Sequence, residues 1–443
     1  MELLLSYNVD TQKIAFGTTP LVLAASDGYG EFVEILASRP DCSREDRVDA
    51  LELLGAAYID IDEDPFKAMA IWEEAMIERH RDAGSVLCKA ERVDGPVEAY
   101  DGAVEVKTLD ELRRLNGDYD RMWMQALLIR ERVLGVLHPE TTCYIRKRGY
   151  SYSERGNFNL CAMLYMHALD MRQRHLRHLK RLTQESFLAF VRLFIDATGS
   201  GHEDGDAITY TVTSSALFSC VMDVFDRAIV ELERGMADVL ESSRAETMTE
   251  EEEKEKDFEV FDLHLVILLQ LIAVVCHSSN DLSNDEAHRF KKIIRDVIQM
   301  DPRGCKGYTL LHLACSCKAS YVNHIRLLSF PDPAVVTTLV EACAPLNAVD
   351  YKMNTPLHVI AMACHTNHRS EIANVLLSNG AHLDACNSRR CTAMQLLHDD
   401  EMFDISPVQY ISLQCLAAKV IVERGIPYRD QVPPCIQRFI SIH

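Results

Sequence analysis

The sequence predicts an all-α protein whose helices stack as a repeat solenoid, and three observations carry that expectation. Glycine and proline are sparse, 19 and 14 in 443 residues, which favours helices over strands and loops. Apolar residues recur at three- and four-residue spacing along most of the chain. Short stretches near both ends share one pattern and stretches between them share another, as expected of units that bury their faces only by stacking. A chain of this length is too long for one compact core, so it forms several domains or an array.

The first element is Gly17 to Leu36, GTTPLVLAASDGYGEFVEIL. Thr19-Pro20-Leu21 opens a helix, Ala24 and Ala25 let two helices approach, and Gly28 stands where a left-handed residue ends the first helix. Val33, Ile35 and Leu36 supply the buried face of the second. This matches the ankyrin consensus, with Tyr29 in place of the histidine usual after that glycine. Glu2 to Asp10 resembles the second helix and outgoing loop of a preceding ankyrin repeat, with Leu3, Leu4 and Leu5 as stacking leucines. An opening inside a repeat implies more ankyrin repeats upstream, as in a fragment, a partial gene model or a short isoform. Residues 1–45 therefore read as the remnant of an ankyrin array.

Over 46–197 the period changes. Leu51, Leu54, Gly55 and Tyr58, followed by Ala68, Trp72 and Ala75, place a small residue and an aromatic where tetratricopeptide (TPR) helices cross closely. Ile145, Gly149, Tyr152, Gly156, Phe158, Cys161, Tyr165 and Ala168 repeat the spacing, with Arg148 where leucine is usual. The segment before these residues, Ala126 to Thr142, gives the second helix of an earlier unit and a break at His138-Pro139. Over 198–300 we expect helices at Ala216 to Leu240, Phe258 to Val275 and Asp285 to Met300, separated by solvated linkers at TGSGHEDGD and at the charge run Thr247 to Asp257.

Ankyrin openings return over 301–405, at Thr309-Leu310-Leu311-His312, at Thr355-Pro356-Leu357-His358 and, in degenerate form, at Thr392-Ala393-Met394. The 46-residue step from Thr309 to Thr355 exceeds the roughly 33-residue unit, and the excess is assigned to a loop around Ser329 to Pro333.

The formal charge of −21, from 46 basic and 67 acidic residues, opposes phosphate backbones and anionic membranes, so neither is an expected partner. Fifteen scattered cysteines in so large a chain fit a reducing cytoplasm, with the nucleus second, rather than a disulfide scaffold. The MELLLSYNVD start lacks signal-peptide character. The longest apolar run, Leu263 to Cys276, has the length of a buried helix. No Walker loop, dinucleotide turn, zincin helix or nucleophile elbow is present, so we expect no catalytic residue and no cofactor.

Cys305, His312, Cys315 and Cys317, and separately Cys364, His365 and His368, are the zinc suspects by local spacing. The stronger reading puts His312 and His358 in the ankyrin role of bridging backbone groups, and no metal site is expected. Trp72, Tyr152, Phe158 and Tyr165 read as packing rather than a ligand cage, and Glu250 to Glu253 as a solvated face.

The segment 406–443 carries the functional reading. Ser412 to Ile421 (SLQCLAAKVI) is an amphipathic helix with Leu413, Leu416, Ala417, Val420 and Ile421 on one face. It resembles the elongin-binding box of SOCS-box and VHL-box ligase subunits, a helix-in-groove contact, with Ala417 where cysteine is common. Val432, Pro433, Ile436 and Phe439 resemble a cullin-2 box. An alternative is a helix that only caps the last repeat, with Leu413 serving both ends.

The order of these parts, with DALELLGAAYID (Asp49 to Asp60), MQALLIRERVLG (Met124 to Gly135) and SLQCLAAKVIV (Ser412 to Val422), resembles the feminization-1 (Fem) family of ubiquitin-ligase substrate receptors. The His138-Pro139-Glu140-Thr141 run and Ala168 to Gln173 are most similar to the branch that reads C-terminal arginine degrons. The resemblance implies a non-catalytic subunit that binds elongin B and elongin C, recruits cullin-2, and presents proteins with C-terminal degrons for ubiquitination. The rival reading is a TPR and ankyrin interaction scaffold without ligase association.

Overall fold

Thr19 starts the first helix as the sequence requires. Its hydroxyl accepts a hydrogen bond from Val22 N at 3.3 Å, and Pro20 sits in the first turn, where no backbone donor is needed. A computed structural model describes residues 18–81, 85–89, 95–176, 179–199, 210, 212–242, 251–278, 282–322, 325–363, 368–398, 409–429 and 431–443, with the backbone alone over 238–242 and 251–258. The expected leucines at 3–5 fall outside these residues. Most of what is described is helix, in two units, Met1–Arg177 and His178–His443.

In the first unit, α1 (Pro20–Ser26) and α2 (Gly30–Ala37) turn about Gly28, whose φ of +80° suits a residue without Cβ. They pack on α3 (Arg44–Asp60), which forms a helical hairpin with α4 (Pro65–Arg79). That hairpin closes tightly because Gly55 lies under Trp72: a Cβ there would sit 2.4 Å from the indole. A 3-10 turn at Glu98–Tyr100 and α5 (Leu109–Arg113) precede α6 (Tyr119–Leu134). A second hairpin, α7 (Pro139–Glu154) with α8 (Phe158–His175), repeats the device, a Cβ on Gly149 falling 2.6 Å from the Tyr165 ring. The core joins Leu21, Leu53, Trp72, Met122 and Trp123.

Arg148, in a leucine's place, is buried too. Its guanidinium lies 4.3 Å from the centre of the Tyr152 ring and 5.3 Å from that of Trp123, donates to the Tyr152 hydroxyl at 2.9 Å, and pairs with Asp120. Stacking plus a carboxylate lets a cation occupy an apolar position.

In the second unit, α9 (Arg181–Thr198) and α10 (Ser214–Ser242) pack on α11 (Glu251–His277), followed by α12 (Asn284–Gln299). The acidic run was expected to be a linker, but α11 begins at Glu251, so the charges from there to Asp257 form its first turns. Glu and Lys are good helix formers when exposed, and a charge run need not break a helix. The window Glu259–His277 is long and apolar enough to cross a membrane, yet 67% of it is buried against protein. It is a core helix, longer than the sequence suggested.

The ankyrin helices are α13 (Leu310–Ala314), α14 (Pro333–Glu341), α15 (Pro356–Met362), α16 (Arg369–Ser378) and α17 (Ala393–His398). Two residues before each opening threonine the backbone is left-handed, at Gly307 (φ 78°), Met353 (60°) and Arg390 (60°). The long step between the first two openings is filled by more than a loop at 329–333. A 3-10 turn (Cys317–Ser320) and a hairpin of β1 (Tyr321–Val322) and β2 (Ile325–Arg326) come first. Buried Gln270 of α11 ties this insert down, its amide donating to Ala319 O at 2.7 Å and Leu328 O at 3.1 Å while accepting from Leu328 N at 3.1 Å. The last helices, α18 (Leu413–Glu423) and α19 (Pro434–Ser441), pack on each other.

Candidate functional site

Ser412 caps α18, its hydroxyl accepting from Cys415 N at 3.1 Å, and the helix then presents two unlike faces. Cys415 and Ala418 are buried. Leu413, Leu416, Ala417 and Val420 are exposed and Ile421 is half-buried. Leu413 is 84% exposed, Leu416 48% and Val420 50%. A leucine that serves as a packing cap would be covered, so the capping contact is made by Cys415 and Ala418 instead of Leu413. An apolar stripe left in water costs free energy unless something covers it, and its spacing of three and four residues is that of groove-binding anchors.

The other predicted docking residues divide. Pro433 and Ile436 of the α19 region are exposed, whereas Val432 and Phe439 are half-buried. Phe439 turns inward, its ring centroid 5.2 Å from His382 and 4.6 Å from His443. Its side chain is therefore mostly engaged within the fold.

Both ankyrin histidines use both ring nitrogens. In His312, Nδ1 accepts from Thr309 N at 3.2 Å and Nε2–H donates to Asn354 O at 2.9 Å, in the next repeat. In His358, Nδ1 accepts from Thr355 N at 3.2 Å and Nε2–H donates to Cys391 O at 3.2 Å. Burial pushes both below the ordinary histidine value, His312 to about 4, so the rings are neutral at pH 7 and the tautomer is set by the bonds. This accounts for His312 without zinc, and burial drives the Cys315 thiol upward. Cys364 and His365 lie outside the described residues. Among the described residues, the side chains that do converge with metal-ligand chemistry are His382, Asp384, Cys415 and His443. Local spacing could not reveal them, because they come from three separate elements. The described cysteines are free thiols.

The first unit holds a charged network that apolar periodicity does not show. Glu52, buried in α3, pairs with Arg79 at 2.9 Å, Lys89 at 3.0 Å and with Arg132. Arg132 also reaches Asp49 at 2.7 Å and Glu105 at 3.0 Å. Burial opposes ionisation of Glu52, but Lys89, Arg132 and Arg79 outweigh it and hold the carboxylate below its ordinary value of 4.5. Arg130 is fully buried, donating to Asp60 Oδ1 at 2.9 Å and to Ser26 O at 3.2 Å, with Tyr144 stacked 3.7 Å away. Each charge has a partner, which is the condition for burying it. Trp72 donates its indole N–H to Glu52 O at 2.9 Å, and Tyr165 is buried against Gly149, so neither is open to a ligand.

Helical hairpins, ankyrin units and an apolar helix face left in solvent define a repeat protein of the ankyrin class. The ankyrin repeat family model matches residues 352–388. "Protein fem-1 homolog C" of Homo sapiens is 34% identical over 451 residues, covering the whole chain and 68% of the relative. The Xenopus laevis homolog C is 35% identical over 98% of this chain and 66% of its own length, and "Protein fem-1 homolog A" of Danio rerio is 35% identical with the same coverage. The chain spans about two thirds of the length of these relatives. It belongs to the fem-1 family.

Proposed function

We propose that this chain is a non-catalytic substrate-recognition subunit of a cullin-2 ubiquitin ligase. It docks on elongin C, and through it elongin B, with the exposed face of α18, recruits cullin-2 through the α19 region, and presents proteins with C-terminal degrons. The observation that carries this reading is the stripe Leu413, Leu416 and Val420, apolar and in water on a helix whose opposite side is anchored by Cys415 and Ala418. A helix held on one face and bare on the other presents its anchors already ordered, which lowers the entropic cost of docking. Pro433 and Ile436 stand exposed beside it for a second partner.

The test is a pull-down of the purified chain with recombinant elongin B and C, with and without cullin-2. The doubly substituted Leu413→Ala, Leu416→Ala chain should keep its helical spectrum and bind elongin at least about 100-fold more weakly, since two buried anchors are worth about 1.5–3 kcal/mol each. Ile436→Asp should leave elongin binding intact and lose cullin-2. A folded wild type that binds neither protein would leave an interaction scaffold whose last helices only close the array.

A further inference from the structure

The last ankyrin repeat, α18 and the second residue beyond α19 send four side chains to one point. His382 and Asp384 come from the outgoing loop before the third ankyrin opening, Cys415 from the first turn of α18, and His443 from the end of α19. Each offers one ligand atom, and the four atoms lie within 4.8 Å of one another. Asp384 and His443 are each 6% exposed and Cys415 is 1% exposed.

The hydrogen bonds leave this point short of a donor. His443 Nδ1–H donates to Phe439 O at 2.9 Å, which in a neutral ring leaves Nε2 as a bare lone pair. Nε2 has no hydrogen-bond partner, and neither carboxylate oxygen of Asp384 has one. The two groups face each other at 3.5 Å, which is acceptor against acceptor for the neutral ring and an ion pair once Nε2 carries a proton. A buried carboxylate without a donor is costly. A histidine fixed through its Nδ1–H by a backbone carbonyl, with Nε2 turned to a carboxylate and a thiol, has the outer-shell arrangement of a metal ligand.

We propose that His382, Asp384, Cys415 and His443 bind one divalent transition ion of the zinc type, which fastens α18 and the end of α19 to the last ankyrin repeat. Thiolate and imidazole ligands select such an ion over magnesium or calcium. Ligands in a tetrahedral zinc shell stand about 3.3–3.8 Å apart, given bond lengths of about 2.0–2.3 Å. Cys415 Sγ to His382 Nδ1, at 3.3 Å, and His443 Nε2 to Asp384 Oδ1, at 3.5 Å, already have that separation. Side-chain adjustment of about 1 Å brings the remaining pairs to it. Ser412 Oγ, 3.0 Å from Cys415 Sγ, supports the thiolate from outside the shell. The ligand face of α18 is the one opposite Leu413 and Val420, so the inference does not depend on elongin docking. Without an ion, the same space would be filled by a proton on His443 and an imidazolium–carboxylate pair.

The experiment is metal analysis of the purified full chain after gel filtration in a weak chelator, followed by cobalt substitution. About one zinc per chain should be retained. The cobalt form should show a thiolate charge-transfer band and visible bands of tetrahedral coordination. Both should vanish in Cys415→Ser and weaken in Asp384→Asn, which keeps the side-chain shape, while Cys317→Ser, an exposed control, leaves them unchanged. Removal of zinc should lower the melting temperature of the wild type and leave that of Cys415→Ser unmoved. A metal-free wild type whose melting is indifferent to added zinc overturns the proposal, and so does zinc that persists undiminished in both Cys415→Ser and His443→Gln. If a variant unfolds, the wild-type stoichiometry and the thiolate band decide alone.

Discussion

Arg390 is exposed and left-handed, at φ 60°, where the first of the three equivalent turns has Gly307. An L-residue pays about 1–2 kcal/mol for that conformation, and glycine gives part of it back through the freedom of its unfolded chain. Arg390→Gly should therefore stabilise the second unit by about 0.5–1 kcal/mol, read as a higher urea midpoint at unchanged slope. A lower midpoint would mean that the Arg390 side chain contributes more than its backbone costs. Cys343, at φ 68° where the following repeat has Gly380, presents the same opportunity. The turn geometry was partly legible, since the threonine openings mark the register. That Met353 and Arg390 would adopt it was not, because neither residue type favours it; each is held by its own turn, Met353 N donating to Asp350 O and Arg390 N to Asn387 O, both at 2.9 Å, with Asp350 Oδ1 and Asn387 Oδ1 accepting from Asn354 N and Cys391 N. Arg148 makes the same point: its place in the repeat and the Tyr152 one turn on are readable, but the Asp120 and Trp123 that also shelter it come from another helix brought against it by the fold.

At the level of elements, the glycine–aromatic pairs decide how closely the hairpins close. A side chain on Gly55 would enter the Trp72 indole, whose N–H is fixed to Glu52 O, so the ring cannot simply swing away. Gly55→Val should cost at least about 1–3 kcal/mol by overpacking and should lower the urea midpoint followed by tryptophan fluorescence. Near-normal stability would mean that the hairpin opens without loss and that the small residue matters less than its spacing suggests. These hairpins and the ankyrin openings were legible because their signals are local, within about one turn of a consensus residue. The start of α11 and the insert around β1 and β2 were not. Glutamates read equally as helix or linker until the apolar half of α11 finds its neighbours, and the insert is held by Gln270 from far away in sequence. The exposed face of α18 was visible as amphipathicity. Which of its two sides would be buried was settled by Cys415 and Ala418, and the convergence of His382, Asp384 and His443 on Cys415 is a property of the fold alone.

Across the whole molecule, the two units differ in how many histidines they bury in the neutral form, and acid should separate them. The second unit contains His264, His312 and His358, buried and held neutral by desolvation, with His312 at about 4. A folded pKa below the ordinary 6.5 means that the unfolded chain takes up protons first, so stability is complete above 6.5 and falls as the pH drops towards 4. His277, raised by its hydrogen bond to Asp332, runs the other way and offsets part of this. In the first unit His138, lowered by burial, is of the same kind as these histidines, and Glu52 adds a carboxylate that responds at lower pH. Its carboxylate is depressed below 4.5, so its contribution is intact above that value and is lost only as the pH falls through the lower folded pKa. With His264, His312 and His358 to set against His138, the second unit should thus weaken more than the first between pH 6.5 and about 4.5. The chain reports this directly, because its two tryptophans, Trp72 and Trp123, both lie in the first unit, whereas the helical circular dichroism comes from both. Urea curves at pH 7, 5.5 and 4.5 should show the dichroism midpoint falling ahead of the fluorescence midpoint. Glu52→Gln should flatten the fluorescence curve's remaining dependence at the acid end. If both probes moved together at every pH, the units would unfold as one cooperative block, and the nearest-neighbour description of stability in stacked repeats would not apply to this chain.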